Sequence, residues 1–206
     1  MMNRFVFPVL FLALFGMTAC SSVLPKGAPA PRLYTLNAPE MQPRPDEVIS
    51  TRLQVLLPQA TPGLETERIV LRNTDNRVDY FADTKWTGAL TTLVQSLVVE
   101  GFDNTQQLEA VGSDLVAINP NYNLLVEIRD FQAEYLKGQT NPRARIRLTV
   151  KLIKADTHDI VITRTYDERE TATGNTLQEI IPAFDLAWQR TATRLINDTI
   201  MWVSPK

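Results

Sequence analysis

Cys20 is the residue whose type and setting point most directly to a reaction. It is the only cysteine in 206 residues, so it has no disulfide partner within the chain, which removes the usual reason for cysteine in an exported protein. It follows Gly16-Met17-Thr18-Ala19 and precedes Ser21-Ser22, small residues of the kind that crowd a processing site. A thiol directly after such a cut can form a thioether to a diacylglycerol, and the pattern is a lipobox with Met17 where Leu is most frequent. Cleavage between Ala19 and Cys20 and lipidation of Cys20 are the expected events. Upstream, Met1 to Arg4 is a short polar head with one positive charge, and Phe5 to Phe15 is an apolar run of signal-peptide length, well short of the about 20 residues a spanning helix needs. Two or three acyl chains, at about 0.8 kcal/mol per buried methylene, would hold the mature chain firmly on a bilayer. Ser21 stands where Asp commonly retains a lipoprotein in the inner membrane, which favours the outer membrane.

The other reactive side chains offer less. His158 is the single histidine and falls in an expected hairpin turn, so a Ser-His-Asp triad or a His-based zinc site would have to be built around one exposed ring with no second His or free Cys. Glu127, Asp130 and Glu134 are spaced to face Arg145, Arg147 and Lys151 on a neighbouring strand, the arrangement of cross-strand ion pairs. The eight glycines do not cluster into a phosphate loop. The basic row Arg143, Arg145, Arg147 and Lys151 could hold phosphate groups, but the acidic strand beside it implies internal balance. The expectation is therefore a non-enzymatic chain with no catalytic residues, no metal and no cofactor beyond the covalent lipid. Candidate partner-surface residues are Lys85, Trp86, Arg145 and Arg147.

Removing residues 1–19 takes Arg4 from the 21 basic side chains and none of the 23 acidic ones, so the mature chain is one unit more negative than the formal −2 of the whole. That balance gives no general attraction to nucleic acid. The sequence divides into a signal peptide at 1–19, a lipidated N-terminus with a Pro-rich tether at 20–31, and one domain at 32–204, long enough to fold around its own core. An extended tether at about 3.1 Å per residue can lift the domain roughly 30 Å from the membrane.

Within the domain, Arg32 to Leu36 and Thr51 to Leu57 read as strands, the second ended by Pro58. Arg68 to Arg72 and Arg77 to Phe81 flank Asn73-Thr74-Asp75-Asn76, a hairpin turn signature. Trp86, Ala89, Leu90, Leu93, Val94, Leu97 and Val98 recur at helical spacing, which predicts a helix from about Trp86, capped by Asp83 and closed by Gly101. Its other face, Thr87, Thr91, Thr92, Gln95 and Ser96, is polar but uncharged and reads as a solvated face, with contact to another surface as the alternative.

From Tyr122, apolar residues alternate through Leu124, Val126 and Ile128, then slip one position to Phe131 and Ala133, as a β-bulge requires. Ala144 to Leu152 alternate strictly against the basic row, and Ile160 to Tyr166 complete an antiparallel meander over 122–169. Thr176-Leu177-Gln178-Glu179 has capping-box spacing and opens an apolar stripe from Ile180 to Ile200, with Pro182 either kinking this helix or marking its start. The fold class is α+β: an antiparallel or mixed sheet with two long amphipathic helices packed on it, in a single domain.

The strand Arg32-Leu33-Tyr34-Thr35-Leu36 behind a lipidated leader, the block from Arg68-Ile69-Val70-Leu71-Arg72 through Arg77-Val78-Asp79-Tyr80-Phe81 to Lys85-Trp86, and the strand Leu124-Leu125-Val126-Glu127-Ile128-Arg129-Asp130-Phe131 together resemble the ABC-type transport auxiliary lipoproteins, the paraquat-inducible protein C-like intermembrane transport lipoproteins. Lys85 stands where members commonly have Arg, and a Gly common near Thr157-His158 is absent. The resemblance implies an outer-membrane-anchored, periplasm-facing component that works with a mammalian-cell-entry (MCE) domain protein and an inner-membrane transporter in lipid transport, forming homo-oligomers and catalysing nothing. The competing expectations are a lipoprotein that assembles or plugs an outer-membrane β-barrel, and a periplasmic hydrolase.

Overall fold

Strand β7 (Tyr122–Glu134) is the spine on which the other elements are hung. A computed structural model describes residues 30–75 and 77–205; the expected signal peptide, its cleavage at Ala19, the lipidation of Cys20 and most of the tether lie outside the described residues. Among these residues nine strands form one mixed sheet. One edge of β7 carries three short parallel strands in succession: β2 (Ile49–Val55), β3 (Gln59–Ala60) and β4 (Arg68–Arg72). Pro58, with no N–H to donate, separates β2 from β3 and breaks the ladder there. The other edge of β7 pairs antiparallel with β8 (Arg143–Lys154), and β8 with β9 (Ile160–Thr171).

The flanks complete the sheet. β5 (Val78–Trp86) returns antiparallel to β4, β1 (Arg32–Tyr34) lies parallel to β5, and β6 (Leu108–Ser113) lies parallel to β2. Helices α1 (Leu90–Thr105) and α2 (Leu177–Val203) share one core with the sheet. The α+β expectation, with a mixed sheet and two long helices, matches this architecture.

The phase slip in β7 is a bulge. Ile128 pairs with Leu148 but Asp130 pairs with Arg147, leaving Arg129 extra. The insertion keeps Leu124, Val126 and Ile128 on the same buried face as Phe131 and Ala133. Opposite them Ala144, Ile146, Leu148, Val150 and Leu152 are fully buried. Trp86 meets Phe131 and Phe184 edge-on at 5.8 and 5.5 Å, while Phe131 stacks on Phe184 at 5.7 Å. One aromatic cluster thereby joins β5, β7 and α2.

Helix α2 begins as its capping box dictates: Glu179 accepts from Thr176 N–H at 3.0 Å, and the Thr176 hydroxyl contacts the same carboxylate. Pro182 lies inside the helix, after its start at Leu177, on the exposed side. Thr191 and Thr199 are fully buried, and their hydroxyls donate to Ala187 O and Leu195 O, each at 2.8 Å, which removes the cost of unpaired polar groups in the core.

Four expectations need correction. Trp86 ends a strand and does not start a helix; α1 begins at Leu90 with no side-chain cap. Asp83 lies within β5 at φ 52, where Ile69 opposes an irregular stretch between Tyr80 and Lys85. Gly101 sits inside α1, and the helix closes instead at Gln106, left-handed at φ 55. Gln95, assigned to a solvated face, is buried and donates to Val55 O at 2.9 Å and Asp114 Oδ1 at 2.7 Å.

Candidate functional surface

The row of alternate residues on β8 that points away from the core is where charge is concentrated. Strict alternation puts Arg143, Arg145, Arg147, Thr149 and Lys151 on one face. The registers of β7 and β9 set their partners. Lys151 Nζ donates to Glu127 Oε1 at 2.5 Å, and Arg129 also contacts Glu127. Arg147 Nε lies 2.6 Å from Asp130 Oδ2, though without the alignment of a directed hydrogen bond. Arg143 places Nε 3.0 Å and Nη2 2.9 Å from Glu134 Oε2.

Arg145 is the hub of this row. Its Nε and Nη2 fork onto Asp167 at 3.1 and 2.9 Å, Nη1 reaches Glu134 Oε1 at 3.2 Å, and Asp130 lies 3.7 Å away. The bulge at Arg129 sets Asp130 level with Arg147 and within reach of Arg145. Asp130 and Glu134 are each only 5% exposed, so the long guanidinium side chains act as their cover as well as their counter-charge.

The electrostatics follow the geometry. The hydrogen bond from Lys151, with Arg129 nearby, holds the Glu127 carboxyl below the usual carboxylate range. Burial pushes the Glu134 and Asp167 carboxyls up, but hydrogen bonds from Arg143 and Arg145 to the first, and from Arg145 to the second, overcome it and both lie below their ordinary values. The Asp167 contact in turn raises Arg145. Glu127, Glu134 and Asp167 are thus held as anions against cations, and none is poised to donate a proton.

The face toward α2 carries a second set of pairs. Glu168 and Glu170 of β9 bind Arg190 at 3.4 and 2.8 Å, and Arg194 contacts Glu168 at 2.5 Å. Tyr166, 1% exposed, donates its hydroxyl to Asp198 at 2.9 Å. These contacts clamp the outer strand to the long helix.

The candidate partner residues are not brought together as one surface. Trp86 is 2% exposed and spends its ring on Phe131 and Phe184, which corrects its assignment to a partner surface: the periodicity it shares with α1 reflects a common core. Lys85 alternates outward and pairs with Glu67 at 3.1 Å. Arg145 and Arg147 share the charged row, with Arg147 the more accessible. His158 occupies the β8–β9 turn at φ 62, exposed, its N–H donating to Lys154 O at 3.0 Å. Among the described residues no group of three or more His, Cys, Asp or Glu could hold a metal ion, and no helix is long and apolar enough to cross a membrane.

Sequence reasoning passed over a cavity of about 300 Å³ at the end of the charged row, where Lys137 and Arg72 join Arg143 and Arg145. The readable signal was Lys137-Gly138 in the loop between two strands, the second of which opens on Arg143.

Comparison with known proteins places this geometry. An uncharacterized protein of Bradyrhizobium diazoefficiens is 27% identical over 178 residues, covering 86% of this chain but 47% of the relative, so the chain spans about half of that protein's length. A crystal structure of a Xanthomonas campestris protein superposes with a TM-score of 0.74 at 24% identity, covering 82% of this chain and 95% of that one. A Chlamydia trachomatis hypothetical protein gives 0.53 at 8% identity over 75% and 98%. These two structures share the fold. The family described as ABC-type transport auxiliary lipoprotein component matches residues 34–195, from β1 through the charged row to the last turns of α2, and the chain belongs to that family.

Proposed function

We propose that this chain is a non-catalytic outer-membrane lipoprotein of an MCE-type intermembrane lipid transport system, anchored through lipid on Cys20 and facing the periplasm, where it docks to or helps assemble the MCE protein that serves the inner-membrane transporter. The observation that carries the proposal is the family match across residues 34–195. The commitment of Glu127, Glu134 and Asp167 to cationic partners supports a binding role over general acid–base chemistry, which needs a carboxyl free to exchange its proton. Self-association is part of the proposal, supported by the outer edge of β9, which pairs only with β8 among the described residues and exposes Ile160 and Val161.

The test is crosslinking in the native envelope, extraction in mild detergent, and mass spectrometry of what co-purifies with the chain. Recovery of an MCE-domain protein is the expected result. Recovery of β-barrel or barrel-assembly proteins without any MCE protein would overturn the proposal in favour of a barrel-assembly or plug role.

A further inference from the structure

Strand β9 is the longest free edge among the described residues: its 12 residues pair with β8 on one side and with no strand on the other. Such edges are ordinarily blunted by proline, lysine, a bulge or a covering segment. Ile160–Thr171 contains no Pro, Gly or Lys, and from Ile162 to Thr171 its register with β8 is unbroken. Ala172 N–H donates to Pro142 O at 2.9 Å, which fixes where the backbone groups point. Counting back from that bond, the even-numbered residues from Glu170 to Ile162 turn N–H and C=O toward β8, whereas Thr163, Thr165, Asp167, Arg169 and Thr171 turn theirs outward.

The charges beside this edge are not closed within one chain. On the side facing α2, Glu168 and Glu170 hold Arg190 and Arg194. Asp198 has the Tyr166 hydroxyl as its partner and makes no ion pair among the described residues. Arg164, exposed on the same side of β9, makes none either. The set is neutral in sum, yet one carboxylate and one guanidinium in it are left unjoined.

We infer that β9 is the surface through which two copies of the chain associate, edge to edge and antiparallel, so that their sheets become one. This rests on the self-association in the proposed function and gives it a surface and a register. Overlap of the whole strand allows a two-fold axis at Thr165 or at Tyr166. At Thr165, Arg164 would face the partner's Tyr166, which is buried, and Val161 would face the partner's Arg169. At Tyr166, Arg164 faces the partner's Glu168 in a non-hydrogen-bonded pair, where side chains stand closest, on the side of the sheet where the unjoined Asp198 lies over Tyr166. Thr165 then exchanges backbone hydrogen bonds with the partner's Asp167, Thr163 with the partner's Arg169, and Val161 lies against the partner's Thr171. Opposite charges meet twice, once on each side of the axis, so charge complementarity selects the Tyr166 register. The interface is isologous and closes as a dimer.

The experiment is sedimentation equilibrium of the full chain in neutral, density-matched detergent, with melting temperature to show that each variant is folded. A dimer is expected. Arg164→Glu, which sets like charges opposite each other twice, should weaken it about tenfold, and Lys85→Glu, an equal charge change on β5 across the sheet, should leave it unchanged. Thr165→Pro removes an outward N–H without touching the ladder to β8 and should also yield single copies. For the register, chains with Thr163→Cys mixed with chains with Arg169→Cys should oxidise to a disulfide between positions 163 and 169, located by mass spectrometry. Thr163→Cys alone should not crosslink to itself, since its two copies stand roughly 20 Å apart along the strands. A single copy at every concentration overturns the inference. Association that survives both Arg164→Glu and Thr165→Pro, with no crosslink between 163 and 169, overturns it too while leaving self-association through another surface. Capture of an MCE-domain protein tests the transport reading separately, whichever way these results fall.

Discussion

Arg145 and Asp167 face each other across β8 and β9 in a forked pair, Nε to Oδ1 at 3.1 Å and Nη2 to Oδ2 at 2.9 Å, and the same guanidinium spans the sheet to Glu134 on β7. One side chain on β8, 16% exposed, thus neutralises charge on the strands to either side of it. Replacing it by Met keeps much of the volume and removes every one of these contacts. Because Glu134 and Asp130 would stay largely buried with less compensation, Arg145→Met should lower unfolding free energy by about 3 kcal/mol. Urea denaturation measures this directly, and a loss under about 1 kcal/mol would mean that solvent replaces the guanidinium freely.

The same network sets the response to acid. Glu127, Glu134 and Asp167 all titrate below their ordinary range in the folded chain. Their contribution is full above the unfolded values of about 4 and is lost as pH falls through the lower folded values, because the unfolded chain takes up protons first. The melting temperature should therefore hold from pH 7 to about 5 and decline below that. Glu127→Gln should make the acid limb shallower, and an identical limb in that variant would remove Glu127 from the account.

At the alkaline end Tyr166 gives the opposite limb. Burial, reinforced by the hydrogen bond to Asp198, raises its hydroxyl above the ordinary tyrosine range. The unfolded chain then loses this proton first as pH rises past about 10, and stability falls. Tyr166→Phe should flatten this limb when melting temperature is followed from pH 8 to 11.

How far the sequence could be read depended on whether the determining contacts were local. The bulge at Arg129 was legible because a slip in alternation from Ile128 to Phe131 has one simple cause, and the capping box of α2 because Thr176 and Glu179 lie three residues apart. The start of α1 was not, because Trp86, Leu90, Leu93 and Val94 all bury into one core, so a strand end imitates a preceding helical turn. Ala89 supplies no cap hydrogen bond to mark the boundary. Strand β6 passed unread since, as a flanking strand, it is only partly buried. The charged row could be assembled from spacing, whereas the cavity beside it needed β4 and β7 to be parallel neighbours, a pairing across some sixty residues that no local pattern announces.

Gly101 shows the same limit with an energetic sign attached. In an exposed helix interior, glycine to alanine stabilises by about 1 kcal/mol. At this position a β-carbon would collide with the Pro39 ring and the Ile196 side chain, because α1 passes close under the loop after β1 and against α2. Gly101→Ala should therefore destabilise, by about 1–3 kcal/mol as overpacking does. A stabilised variant would show that Pro39 and Ile196 yield without cost.

Lys85 and Trp86 offer the sharpest contrast, since adjacent residues on one strand point to opposite sides. Trp86 is 2% exposed within the aromatic cluster, and its truncation to Ala should cost about 3–5 kcal/mol. Lys85, with its side chain 41% exposed and paired to a still more accessible Glu67, should change stability by no more than about 0.5 kcal/mol on truncation. Denaturant midpoints of the two single variants decide the matter. If Trp86→Ala melted like the unaltered chain, the indole would have no place in the core and a partner-facing role would return; if Lys85→Ala unfolded it, the Glu67 pair would be holding the β4–β5 hairpin in a way its exposure does not account for.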